Sequence, residues 1–121
     1  MATEAILQSL NFVAGADLSS AQYKIVKQSG ATVVVTSVAG EDARGVLQNA
    51  PVSGDAAGVA IAGQTKIQLG ATLAAGAKFS ASAAGLAIAP TTGYQILGTI
   101  VEGGASGEIG SAIFDKNGLS A

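Results

Sequence analysis

The 121-residue chain has no cysteine, no histidine, no tryptophan and only two prolines. Without cysteine there is no disulfide and no thiolate for metal or nucleophilic chemistry. Without histidine the commonest general base and the commonest metal ligand are both missing. Aromatic residues make up 4% of the chain, with Tyr23 and Tyr94 the only tyrosines, which leaves few of the flat platforms that sugar sites use. Charged residues make up 12%, about half the share of an ordinary soluble domain. The six cations (Lys24, Lys27, Arg44, Lys66, Lys78, Lys116) are scattered and outnumbered by eight acids, so there is no basic stripe for nucleic acid. Long apolar runs are missing too. The best stretch, "GATLAAGAKFSASAAGLAIAP", is mostly alanine and is interrupted by Lys78 and hydroxyl residues, short of the ~20 strongly apolar residues of a membrane helix. The opening "MATEAILQSLNF" carries Glu4 and no cation, and does not read as a secretion signal.

What the chain has instead is small residues. Twenty-five alanines and 17 glycines supply 42 of its 121 positions. A surface built from Ala, Gly, Ser, Thr and Gln is poorly charged for a free monomer, which points to cover by identical copies or by a larger partner. Ile, Leu, Val and Phe number 31, enough for one thin core in a single domain too short for two. Seventeen glycines are costly to order, so self-association is a plausible further source of stability.

Short runs rich in β-branched residues recur along the chain: "QYKIVK", "TVVVTSV", "GVLQN", "GVAIAG", "TKIQL", "KFSAS", "LAIA", "YQILGTIVE" and "IGSAIF". Each is bounded by Gly, Pro, Ser or Asp, at spacings that predict an all-β fold, a small single-domain β-barrel or sandwich of short strands. Helix is confined to about one turn at "DLSSAQ", where Ser19 and Gln22 match a capping box.

Two phrases resemble each other. Residues 45–63, "GVLQNAPVSGDAAGVAIAG", and residues 98–115, "GTIVEGGASGEIGSAIFD", both open on glycine and reach Gly-acid at the same offset, as Gly54-Asp55 and Gly107-Glu108. Each predicts a strand, a turn built on those residues, and a returning strand.

The first twenty residues differ from the rest. Ile6, Leu7, Leu10, Phe12 and Val13 are bulky, do not alternate strictly, and have no turn pairing them with a neighbouring strand. Residues 1–20 therefore read as an extended N-terminal arm ahead of a compact β domain, 21–121, with those five residues as partner-binding anchors in the manner of strand addition. A first strand of the chain's own barrel fits the same pattern.

Catalytic and ligand motifs come close and fail. "GVAIAGQT" has the glycine spacing of a phosphate loop, but Gln64 stands where the lysine is needed and no helix follows. "GGASG" lacks the helix of a dinucleotide fingerprint. Among the acids only Glu41 and Asp42 are adjacent, and neighbours on a strand point to opposite faces. Asp55 or Glu108 could meet calcium with turn carbonyls, but neither phrase has the acid density of a dedicated loop. The expectation is a protein without catalytic residues, cofactor or metal.

The ordered set "GADLS", "GVLQN", "GDAAGVAIAG", "LAAGAKF" and "ILG" resembles the small capsid cement (decoration) proteins of tailed bacteriophages, over nearly the whole length. The resemblance implies a β domain on the outer capsid surface of the virion. It also implies partners: major capsid protein subunits of the HK97-like type, and copies of itself clustered as a homotrimer, fastening the shell against internal pressure. No membrane or nucleic-acid contact is expected. The alternative is a carbohydrate-binding recognition module on a virion or cell surface, which the scarcity of aromatics disfavours.

Overall fold

β-branched residues between glycine turns do produce strands here. The computed structural model describes the backbone of residues 5–119 and the side chains of residues 11–114. In chain order the strands are β1 (Ala5–Ala14), β2 (Ile25–Ser29), β3 (Thr32–Val35), β4 (Gly45–Leu47), β5 (Ala56–Gln68), β6 (Lys78–Ala81), β7 (Ala87–Ile88), β8 (Gln95–Glu102) and β9 (Ile109–Leu119). No helix occurs among the described residues, so the helical turn expected at "DLSSAQ" is absent. Asp17 instead accepts a bond from the Ser19 amide at 3.1 Å, an Asx-type turn that competes with helix for the same donor.

Strands β1, β3, β2, β4 and β5 form a closed ring. β1 runs antiparallel to β5, from Ala5 opposite Gln64 to Val13 opposite Ala56, and parallel to β3 at Val13–Thr32 and Ala14–Val33. The result is a small five-stranded barrel. β5 is long enough to outlast it: residues 63–68 pair with β9, which carries β8, then β6, then β7. A parallel bridge from Leu69 to Ala87 returns β7 to the chain just past β5.

This corrects the picture of residues 1–20 as an arm without a pairing partner. The partner of β1 exists but lies some fifty residues away in sequence, where no local turn signal can reveal it. Barrel closure removes two open edges at once, on β3 and on β5.

The expectation of one core is also revised, because the buried side chains form two clusters. The smaller fills the barrel and includes Leu18, Val26, Val33, Leu47, Ala57 and Val59, with Phe12, Val35 and Ile61 packed against it. The larger lies between the barrel wall and the later strands and includes Ile25, Val46, Ile67, Leu69, Phe79, Leu97 and Ile100. Alternation explains the split. Ile25 and Val26 are neighbours on β2, as are Val46 and Leu47 on β4, so each pair points to opposite faces and feeds opposite cores. All four are fully buried. Buried hydroxyls are bonded: Thr36 donates to the Ser82 carbonyl at 2.9 Å and Ser80 to that of Gln95 at 2.7 Å.

The two similar phrases both fold as strand, turn and strand. Gly54 (φ +89°) and Gly107 (φ +90°) occupy the third position of turns closed by Asp55 N–H to Val52 O and Glu108 N–H to Ala105 O, both 3.1 Å. That conformation favours glycine. The opening glycines answer a different need: a Cβ on Gly45 would strike the Ala60 carbonyl, and one on Gly98 the Ile113 carbonyl.

Gly54→Val has open space around the new side chain but the wrong backbone sign, and should lower stability in urea by over ~1 kcal/mol. Removing residues 2–16 should abolish cooperative thermal unfolding, since it takes away the strand that closes the barrel. A truncated chain that melts like the parent would show that β1 is dispensable.

Candidate functional site

The described carboxylates mostly serve turns. Glu108 Oε1 accepts from the Ala105 amide at 2.7 Å, Asp42 Oδ1 from the Ala43 amide at 2.9 Å, and Glu102 Oε1 from the Ser111 hydroxyl at 3.1 Å. Glu41 does most. Its carboxylate accepts from the amides of Ser37 (2.7 Å) and Val38 (2.8 Å) and from Lys27 Nζ (3.1 Å), pinning the loop between β3 and β4 to β2. Partial burial pushes the Glu41 carboxyl up, but the Val38 and Ser37 amides and the Lys27 ammonium outweigh it and hold it below the usual glutamate value. The Ser19 hydroxyl, then its amide, likewise holds Asp17 below the ordinary aspartate value. An open cleft of about 270 Å³ lies beside the Glu41 clamp, lined by Lys27, Gln28, Glu41, Asp42, Ala43 and Arg44. No group of three acids that could hold a metal ion occurs among the described residues. Gln64, at the phosphate-loop lysine position, lies within β5 and donates toward the Ser111 hydroxyl at 3.4 Å.

Two surface regions stand out. The first is the outward face of β5, β9, β8 and β6. Gln64, Lys66 and Gln68 sit opposite Ile113, Ser111 and Ile109 in register, Thr99 follows Ile113, and Lys78 follows Thr99. Their neighbours Thr65, Ile67, Gly110, Ala112 and Phe114 point inward and are buried. Ile109 (48% exposed) and Ile113 (43%) are left uncovered on this face.

Tyr23 stands at its border, with Lys66 Nζ 5.8 Å from the ring centroid. It is the third residue of a turn closed by Lys24 N–H to Ala21 O, with φ +66°, the only non-glycine described at positive φ. In the turns at residues 38–41, 52–55, 74–77, 91–94 and 105–108 the same position is glycine. A left-handed conformation costs a side-chain-bearing residue about 1–2 kcal/mol, and a bulky one is a genuine outlier there. Backbone bonds hold it on both sides, Tyr23 N–H to Leu47 O at 2.7 Å and Gln68 N–H to Tyr23 O at 2.9 Å.

The second region is a pole of the barrel. Here Ala14 exchanges bonds with Asp55 and Gly54, and the Leu18 amide reaches the Pro51 carbonyl. These bonds gather exposed Val13 (45%) and Val52 (50%) with the exposed Asp17 and Asp55. Of the anchors read from the sequence, Val13 faces outward here, while Phe12 is half-buried against the barrel core. The side chains of Ile6, Leu7 and Leu10 lie outside the described residues. Gly54, Asp55, Gly107 and Glu108 all lie in turns and share no common site. Sequence reasoning missed Tyr23 and the Ile109–Ile113 face. "IGSAIF" has apolar residues at both parities, so alternation alone does not say which set is outside.

No family model and no curated protein matches the chain. Among solved structures it is similar to the N base of the head fiber protein gp8.5 of bacteriophage phi29, with a TM-score of 0.68, 16% identity, and coverage of 94% of this chain and 100% of that one. The likeness establishes a shared β fold.

The Glu41 clamp has a pH signature. Because the folded carboxyl titrates below its unfolded value, its contribution is complete above the usual carboxylate range of about pH 4–5 and is lost as pH falls through the lowered folded value. The stability gap between the parent and Glu41→Gln, followed by urea unfolding, should be widest near neutrality and shrink below about pH 4. A gap that is flat with pH would remove the clamp's electrostatic role.

Proposed function

We propose that this chain is a noncatalytic cement protein of a tailed bacteriophage, binding the outside of an assembled shell of HK97-like major capsid protein and stabilising it, with copies of itself as neighbours. The observation that carries the reading is the fold: nearly the whole chain superimposes on the base of a phage head fiber. The sequence resemblance to decoration proteins points the same way. The surface agrees with both, since a face with low charge and uncovered isoleucines suits a molecule that works against other protein.

The mechanism needs no chemistry. A ligand that binds assembled shell and not free subunits stabilises the shell by its own binding free energy, and repetition over many lattice sites multiplies the effect. A barrel rigidified by strand closure loses little conformational entropy on docking.

The chain should co-sediment with assembled coat shells of its phage and not with dissociated coat subunits, and should raise the temperature at which shells release their contents. A chain that stays in the supernatant with shells would sink the reading.

A further inference from the structure

The two surface regions are complementary to each other. The outward face of β5, β9, β8 and β6 presents Ile109 and Ile113 with the cations Lys66 and Lys78, and carries one described acid, Glu102, opposite Ser111 in register and bonded to its hydroxyl. The barrel pole presents Val13 and Val52 with Asp17 and Asp55, and neither residues 1–23 nor 45–65 contain a Lys or Arg. One region is apolar and basic, the other apolar and acidic.

We propose that copies of this chain associate heterologously, the acidic pole of one docking on the sheet face of the next. Val13 and Val52 then cover Ile109 and Ile113, and Asp17 and Asp55 face Lys66 and Lys78. The proposal rests on the reading that copies are neighbours and names the surfaces through which they meet. Symmetric alternatives suffer from like charge: face on face opposes lysines to lysines, and pole on pole opposes aspartates to aspartates. A heterologous contact leaves a free face and a free pole on every assembly until a rotation closes it into a ring.

Tyr23 supplies an independent argument for the face. Its hydroxyl makes no hydrogen bond to a described residue, and its backbone is held where five comparable turns use glycine. Its ring stays half-buried beside Lys66, and rigid tyrosines beside cations are common anchors of protein interfaces. The ring and Lys66 form one edge of the basic face.

The test uses the full chain without shells, so that failure of shell binding leaves it unaffected. Sedimentation velocity up to about 1 mM, the scale of effective concentration between neighbouring lattice sites, should detect association that weakens with salt. Asp55→Lys and Lys66→Glu should each weaken it at least tenfold. The double variant, or an equal mixture of the two singles, should recover it to within a few-fold. Tyr23→Gly should weaken association while leaving the melting midpoint close to the parent's. A chain monomeric throughout, or reversals without effect on association, overturns the proposal. Reversals that spare self-association but lower shell binding overturn it in favour of the coat as the occupant of these surfaces.

Discussion

The fold depends on a wall buried on both sides. β2 and β4 present Ile25 and Val46 to one core and Val26 and Leu47 to the other, and all four are fully out of solvent. Each such burial contributes about 1.5–3 kcal/mol, so this small patch of sheet concentrates much of the apolar stabilisation available to a glycine-rich chain. The rest serves to keep both faces covered: the barrel strands close on one side, and β6 to β9 lie over the other. β5 belongs to both halves, contributing Ala57 and Val59 to the barrel core and Ile67 to the larger one.

Much of this was legible from local pattern. Strand identity followed from β-branched runs between glycines, and the Gly-acid pairs at 54–55 and 107–108 announced their turns. What was not legible was non-local. The partner of β1 lies beyond three intervening strands, and nothing in Ile6 to Val13 distinguishes a strand awaiting a distant neighbour from an arm awaiting another molecule. The second core was hidden for a related reason: consecutive apolar pairs such as Ile25-Val26 signal burial on both faces but not what lies on each. Tyr23 escaped because a left-handed turn is ordinarily announced by glycine or asparagine.

The shortage of charge also reads differently with the structure in view. Glu41, Asp42, Glu102 and Glu108 close loops and fix side chains, and of these Glu41 has its charge offset by the Lys27 ammonium. Part of the charge on open surface is segregated: Asp17 and Asp55 lie at the barrel pole and Lys66 and Lys78 on the far sheet face, while Asp42 and Arg44 line the cleft beside Glu41. In a contact between protein surfaces such segregation sets orientation more than strength, because exposed ion pairs add little affinity but penalise wrong registers.

The closure of β1 onto β5 also bears on how the protein is made. Residue 5 meets residue 64, so β1 must wait until the chain up to β5 has been synthesised before its longest partner exists. The β2–β3 hairpin, joined through Gly30 and Ala31, can form long before that. Until β5 emerges, β1 can pair only at its Val13–Ala14 end with β3, and closure of the barrel depends on a distant pairing, which is intrinsically slow. Chains synthesised in many copies at once are exposed to cross-pairing in that interval, and the wealth of glycine and alanine, poor material for sticky strands, limits the damage.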